Sequence, residues 1–275
     1  MKEEEVATLV GIAAEAAELV FRIYQTPFEV DYKGPRDPVT LADREANALI
    51  CERLQTAFPG VPVVAEESTP DTFAGYQSSE RIFFVDPVDG TREFVAKNGE
   101  FVVMIGVVEG ERATASVIHA PATGTAWVGL EGHGAFRLSP GEGRTKIAVS
   151  ECNELAQVRV VASRSHRTPT FERALNELGV GTVLQQGSAG LKGARVAEAS
   201  ADAYVAPFYA GQRWDICACD ALVHAAGGRV TDAYGAPIDY RAPTLAQETG
   251  VVVSNGLVHE ALLERLALFR ARIGR

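Results

Sequence analysis

The stretch Ile82-Phe83-Phe84-Val85-Asp86-Pro87-Val88-Asp89-Gly90-Thr91 constrains this chain more than any other. Its apolar half, with β-branched ends, reads as a buried strand, and the run stops at a carboxylate, a proline, a second carboxylate and a glycine. Asp86 and Asp89 bracket a tight turn, so two carboxylates and the carbonyls between them can converge at the carboxyl end of the strand. Hard oxygen ligands of this kind suit Mg²⁺ or Mn²⁺ better than zinc, which favours sulfur and imidazole. Pro87 stiffens the turn, and Gly90 lets the backbone come close to whatever the metal holds. The N–H groups of Gly90 and Thr91, where a helix is expected to start, offer an anion site beside the cation. A metal next to an oxyanion pocket points to phosphate chemistry. Asp-Pro-x-Asp-Gly is also a good turn in its own right, so other parts of the chain must decide.

With 275 residues, 47% hydrophobic and 23% charged, the chain can bury a large core as one big domain or two packed halves. A net charge of −10 would repel a nucleic-acid backbone, and it requires local cations wherever phosphate is bound. No apolar run approaches the ~20 residues of a membrane span. The acidic start Met1-Lys2-Glu3-Glu4-Glu5 leads into a helix and is unlike a signal peptide. Cys51, Cys152, Cys217 and Cys219 are too few and too scattered for a disulfide framework, so a reduced, cytoplasmic protein is expected. Cys217 and Cys219 read as small core residues of a helix.

In chain order, Val6, Leu9, Val10, Ala13, Ala17, Val20 and Phe21 have the spacing of an amphipathic helix. Residues 32–38 read as a loop. Thr40 and Asp43 resemble a capping box before a second helix, which puts Asp43 in a first turn. Val61 to Ala65 is a short strand that ends in Glu66-Glu67, and Thr69 to Glu80 reads as a polar, mobile flap. Phe101–Val108, Arg112–His119 and Gly124–Leu130 read as antiparallel hairpin strands. Pro140-Gly141-Glu142-Gly143 concentrates breakers and marks the expected border between an amino-terminal subdomain, 1–140, and a carboxyl-terminal one, 141–275. Beyond it come a strand at Val158–Ala162, the polar loop Ser163-Arg164-Ser165-His166, and a Gly187-Ser188 turn before a helix with Lys192. Trp214-Asp215 then opens an apolar helix closed by Gly227-Gly228.

Glu66-Glu67, then Asp86-Pro87-Val88-Asp89-Gly90-Thr91, then Trp214-Asp215 followed by Ala225-Ala226-Gly227-Gly228, resemble the signature set of the inositol monophosphatase family of magnesium-dependent, lithium-sensitive phosphomonoesterases. The resemblance extends from the first helix to the last strand. Within the family, Thr91-Arg92-Glu93-Phe94, Asn98-Gly99-Glu100-Phe101, Ser163-Arg164-Ser165-His166 and Gly187-Ser188 before Lys192 are most similar to the CysQ-like 3′(2′),5′-bisphosphate nucleotidases. Arg213 stands where inositol phosphatases more often have a glutamate, which favours an anionic substrate.

The resemblance implies a mixed α/β fold, the layered α/β/α/β/α sandwich of the inositol monophosphatase and sugar phosphatase type. It implies two or three Mg²⁺ ions, with Mn²⁺ as a substitute and Li⁺ as an inhibitor. Glu66, Asp86 and the Val88 carbonyl would hold one ion, and Asp86, Asp89 and Asp215 another. Asp43 would orient the Thr91 hydroxyl, which with Glu66 would activate the attacking water. Gly90 and Thr91 would bind the phosphate, and His166, Ser188, Lys192 and Arg213 the second phosphate or the ribose. The implied reaction removes the 3′-phosphate of 3′-phosphoadenosine 5′-phosphate, a step that serves sulfur assimilation. An inositol monophosphatase or a broad-specificity fructose-1,6-bisphosphatase is the alternative. A small phosphate substrate, no nucleic acid, no membrane, and a monomer or homodimer complete the expectation.

Overall fold

The computed structural model describes residues 1–34, 37–165 and 167–274. Helix α1 (Glu3–Tyr24) buries Val6, Leu9, Ile12, Ala13, Ala16, Ala17 and Val20, a single stripe repeating every three or four residues. Helix α2 (Leu41–Ala57) buries Ala42, Ala46, Ile50 and Leu54 in the same way. Both stripes pack on one face of a sheet that holds Phe83, Val85, Val103, Ile105 and Val117.

Among the described residues this first sheet has seven strands: β3 (Val63–Ala65), β4 (Arg81–Asp89), β5 (Val102–Glu109), β6 (Arg112–Ala120), β7 (Thr125–Leu130), β8 (Gly134–Ser139) and β9 (Gly143–Ile147), paired in that order. The β3–β4 pair is parallel and the later pairs are antiparallel. Because successive side chains alternate, Ile82 and Phe84 point to the opposite face from Phe83 and Val85. There they meet α5 (Ala189–Ala197) and α6 (Arg213–Ala225), which form the central layer.

The second sheet, in the order β11 (Thr182–Gln186), β10 (Arg159–Ser163), β12 (Ala203–Ala206), β14 (Val251–Ser254) and β13 (Arg229–Thr231), closes the other side of that layer. Its outer face is covered by α4 (Pro169–Glu177) and α7 (His259–Ile273) through Phe171, Leu175, Leu262 and Leu266. The layers therefore run α/β/α/β/α, the expected sandwich.

A row of small residues lets the central layer sit close. Gly106 on β5 pairs with Ser116 on β6, which pairs with Gly129 on β7. A Cβ at Gly106 would lie 2.7 Å from the Ala218 backbone nitrogen, and one at Gly129 2.7 Å from the Leu222 Cα. Helix α6 rests directly on sheet backbone at both crossings, and this depth sets the height of Asp215 at its amino end.

Three segments differ from the sequence expectation. Residues 140–142, read as a break between two regions, are the hairpin turn between β8 and β9, and the chain leaves the first sheet only after Ile147. Within 32–38, read as a loop, the chain instead forms the antiparallel pair β1 (Val30–Gly34) and β2 (Asp37–Thr40), with Tyr32 opposite Pro38. Thr69–Glu80 contains two short 3₁₀ turns that bury Phe73 and Tyr76, with the Tyr76 ring edge-on to Phe84 at 5.9 Å. Two aromatic anchors in a polar stretch make it part of the core and not a flap.

His259, at the start of α7, is fully buried between the Thr231 hydroxyl at 2.9 Å from Nε2 and the Ser254 hydroxyl at 2.8 Å from Nδ1. Burial first, and the nearby Arg229 charge second, hold its pKa down to about 4 from an ordinary 6.5. Between those two values the unfolded chain binds a proton that the folded chain refuses, so stability falls as pH drops through that window. The full loss is about 3 kcal/mol. Urea unfolding at pH 7 and pH 5 is expected to show a clear loss for the wild type and a smaller one for His259→Asn.

Candidate active site

Strand β4 does not stop at Asp86 but continues through a bulge. Asp86 pairs with Met104 and Asp89 with Val102, so two residues on β4 oppose one on β5. The extra residue turns Asp89 toward the same side as Asp86, and the Val88 N–H donates to Asp86 Oδ1 at 3.0 Å. Gly90 follows with φ of +101°, and a Cβ there would lie 2.7 Å from the Glu100 carbonyl oxygen. Only glycine fits this turn. It leads into the short helix α3 (Thr91–Val95).

Asp43 has two functions. Its Oδ2 accepts from the Thr40 N–H at 2.7 Å and the Thr40 hydroxyl at 2.6 Å, completing the capping box of α2. Its Oδ1 lies 3.2 Å from the Thr91 hydroxyl, which is also 3.2 Å from the Val88 carbonyl. A residue that reads as a plain helix cap thus fixes a side chain on a different element.

The carboxylates of Asp86, Asp89 and Asp215 each bring an oxygen within 4.8 Å of the others. Asp86 and Asp89 are buried, and Glu66, immediately after β3, lines the same cleft. Burial, then the charges of Glu66, Asp89 and Asp215, push the Asp86 pKa well up. Burial, with Glu66 and Asp89, pushes Asp215 up to about 8. Carboxylates packed this closely, with hard oxygens directed at one another, form a donor set that fits a divalent cation.

Asp89 also ties the first sheet to the central layer. Its Oδ2 accepts from the Gly190 N–H at 2.7 Å and from the Ser188 hydroxyl. Ser188 in turn caps α5, accepting from the Leu191 N–H at 3.0 Å. Lys192, 4% exposed, donates from Nζ to the Ser188 carbonyl at 2.6 Å while lining the cleft, and burial lowers its pKa. The Asp215 carboxylate accepts from the Gln212 N–H in a second capping box.

The resulting cleft, about 520 Å³, takes in Glu66, Asp86, Val88, Asp89, Gly90, Thr91, Ser188, Lys192 and Asp215 among the expected residues. Asp43 is not among the lining residues and reaches the cleft through the Thr91 hydroxyl, and Arg213 does not line it either. Arg213 is 7% exposed, and its guanidinium donates to the Asp239 carbonyl at 2.8 Å, the Ala246 carbonyl at 3.2 Å and the Gln247 side chain. Two helical positions apart means about 200° around the axis, so with Asp215 toward the cleft Arg213 faces the other way. His166 lies outside the described residues.

The cleft also contains residues not singled out for it from sequence. Arg92 donates from Nη1 to the Ser165 carbonyl at 3.1 Å, and Glu93 accepts from the Ser165 hydroxyl at 2.5 Å. Gly187 lets Glu93 sit close, since a Cβ there would lie 2.3 Å from Glu93 Cγ and push that side chain aside. Glu100 accepts from the Gly187 N–H at 2.7 Å and from Arg164 at 2.7 Å, fixing the 163–165 loop beside the turn. The glycine before Ser188 was the available signal for a close side chain, but nothing local identifies Glu93 as that neighbour.

The model of the inositol monophosphatase family matches residues 1–270. The chain belongs to that family. The 3′(2′),5′-bisphosphate nucleotidase CysQ of Escherichia coli K12 is 35% identical over 231 residues, covering 83% of this chain and 91% of that protein. Its counterpart from Shigella flexneri is 34% identical over 239 residues, with the same coverage. Among solved structures, an IMPase from Thermotoga maritima superposes with a TM-score of 0.82 at 27% identity, covering 98% of this chain and 100% of that one. CysQ from Bacteroides thetaiotaomicron, described as a bacterial member of the inositol monophosphatase family, gives 0.78 at 29%, covering 92% and 97%. This family member is a phosphatase with an acidic cluster able to hold metal. No helix among its described residues is long and apolar enough to cross a membrane.

Proposed function

We propose that the chain is a magnesium-dependent 3′(2′),5′-bisphosphate nucleotidase that converts 3′-phosphoadenosine 5′-phosphate and water to AMP and phosphate. The observation that carries the phosphomonoesterase reading is the meeting of Glu66, Asp86, Asp89 and Asp215 in one cleft beside Gly90 and Thr91. The substrate rests on the similarity to the CysQ proteins.

Glu66, Asp86, the Val88 carbonyl, Asp89 and Asp215 would hold Mg²⁺, which when bound supplies Lewis acidity to the phosphate and the attacking water. The chain's own groups supply orientation. The Thr91 hydroxyl has one proton, directed to Asp43 or the Val88 carbonyl, which leaves an oxygen lone pair to accept from water. Glu66 stands in the same cleft as the second proton acceptor. The Gly90 and Thr91 N–H groups take phosphate oxygens. Arg92 and Lys192 are cleft cations that offset the net negative charge of the protein near an anionic substrate. Because the uncatalysed hydrolysis is so slow, positioning and electrostatics must carry nearly all of the acceleration.

Lithium sensitivity, a cytoplasmic location and a role in clearing a by-product of sulfate reduction belong to the same reading. Inositol 1-phosphate is a second candidate, favoured by the TM-score of 0.82 to the Thermotoga IMPase. Phosphate release from 3′-phosphoadenosine 5′-phosphate, inositol 1-phosphate and fructose 1,6-bisphosphate, with Mg²⁺ and with chelator, tests the proposal. The nucleotide should be preferred and all turnover should stop in chelator. Preference for a sugar phosphate would keep the metal site and overturn the nucleotidase reading. Turnover in chelator would overturn the metal.

A further inference from the structure

We infer that Tyr209 is the stacking surface for the substrate's heteroaromatic base and so a specificity-determining residue of the cleft. The inference rests on the nucleotidase reading above. Four aromatic rings line the cleft among the described residues. Phe171 and Tyr204 are buried, at 8% and 6% exposure, and Trp214 is half-buried against the central core. Tyr209 is 57% exposed, and no other large hydrophobic residue with comparable exposure among those described lies on the cleft wall. A flat aromatic surface open to the cleft is what a planar heteroaromatic base stacks on.

The ring is held on a fixed loop. The Ala210 N–H donates to the Gln247 carbonyl at 3.0 Å, and the Gln247 N–H donates to the Gly211 carbonyl at 2.8 Å. Gly211, at φ of +77°, leaves no room for a Cβ, which would overlap the Asp215 carboxylate. The Gln212 side-chain amide then donates to the Tyr209 hydroxyl at 3.2 Å. Arg213 is rooted behind this loop, binding the Ala246 carbonyl and the Gln247 side chain. The backbone pairing of 210–213 with 245–247 holds in place the loop that carries the ring.

The same cleft is lined by Arg92 on α3, Ser163 at the end of β10, Ser165 just after it and Lys192 on α5, while Tyr209 and Gln212 belong to the loop that enters α6. Cationic and hydroxyl groups together with an exposed ring suit a phosphorylated ribose that carries a base.

The test compares 3′-phosphoadenosine 5′-phosphate with β-glycerophosphate, which has no base, in Mg²⁺ for wild type, Tyr209→Phe and Tyr209→Ala. In Tyr209→Ala the ratio of kcat/KM for the nucleotide to kcat/KM for β-glycerophosphate should fall about tenfold or more, through KM, because stacking on a ring tolerates any base and is lost with the ring. Tyr209→Phe should keep the ratio within about twofold. An unchanged ratio in Tyr209→Ala overturns the inference, as does an equal loss in Tyr209→Phe, which would assign the effect to the hydroxyl and its Gln212 contact. If the wild type turns over β-glycerophosphate and not the nucleotide, the nucleotidase reading itself fails, visibly before any substitution.

Discussion

Asp89→Asn is expected to lower turnover by roughly 10³-fold while leaving the fold in place, a loss at the upper end of what removing one electrostatic group from an active site costs. Asn matches the shape of Asp and can still accept from the Ser188 hydroxyl and the Gly190 N–H, so the link between β4 and α5 survives. What disappears is one negative charge facing Asp86 and Asp215. The thermal midpoint in chelator should stay at or above the wild-type value, since the cleft that holds Glu66, Asp86, Asp89 and Asp215 loses one of its four crowded carboxylates. The stabilisation that Mg²⁺ gives the wild type should shrink, because a ligand that binds only the folded state stabilises it in proportion to its affinity. Steady-state kinetics and melting curves with and without Mg²⁺ check both halves. Near wild-type turnover would remove Asp89 from the metal-holding set.

Gly129→Ala should damage the same site from a distance. The added Cβ would lie 2.7 Å from the Leu222 Cα and 3.0 Å from the Ala221 carbonyl oxygen, both backbone atoms of α6 that no rotamer change can move. Overpacking of this kind costs about 1–3 kcal/mol. Because α6 carries Asp215 at its amino end, lifting the helix off β7 also displaces a carboxylate of the cluster, and turnover should fall by more than tenfold, as small misplacements in active sites commonly cost. Gly11→Ala is the matched control. Gly11 is exposed on α1 with nothing within 4 Å of an added Cβ, and Ala there should stabilise by about 0.5–1 kcal/mol with no effect on kinetics. Urea midpoints and kcat for both variants separate the cases. Equal stability of Gly129→Ala and wild type would mean that α6 does not rest on the glycine row as described.

Much of the chemistry was legible because its signals are local. The β4 strand and its Asp-Pro-Val-Asp-Gly exit, the Thr40–Asp43 capping box, the glutamate ending β3 and the aspartate opening α6 are each readable from a few consecutive residues. Their types and spacings follow from backbone sterics and hydrogen bonding within one turn or one strand, so the sequence suffices. The α1 and α2 stripes are legible for the same reason, as is the burial of Cys217 and Cys219 on α6.

The misreadings share a physical cause. Pro140–Gly143 has the composition of a boundary, yet a tight hairpin needs the same residues, and only the pairing of β8 with β9 tells the two apart. Thr69–Glu80 is polar on average, but Phe73 and Tyr76 find the core through Phe84, which arrives from another strand. Arg213 is a cation beside an aspartate of the acidic cluster in sequence, while helix geometry and the acceptors at Asp239, Ala246 and Gln247 turn it away.

The sequence by itself therefore determined which residue types could hold a metal and a phosphate and which elements carry them, because those choices depend on neighbours along the chain. Only the tertiary structure decided that Glu66, Asp86, Asp89 and Asp215 meet, that Asp43 reaches Thr91, and that Tyr209 and not Arg213 faces the cleft. Convergence depends on a bulge in β4 and on how closely α6 approaches β5 and β7, and both are set by partners far away in sequence.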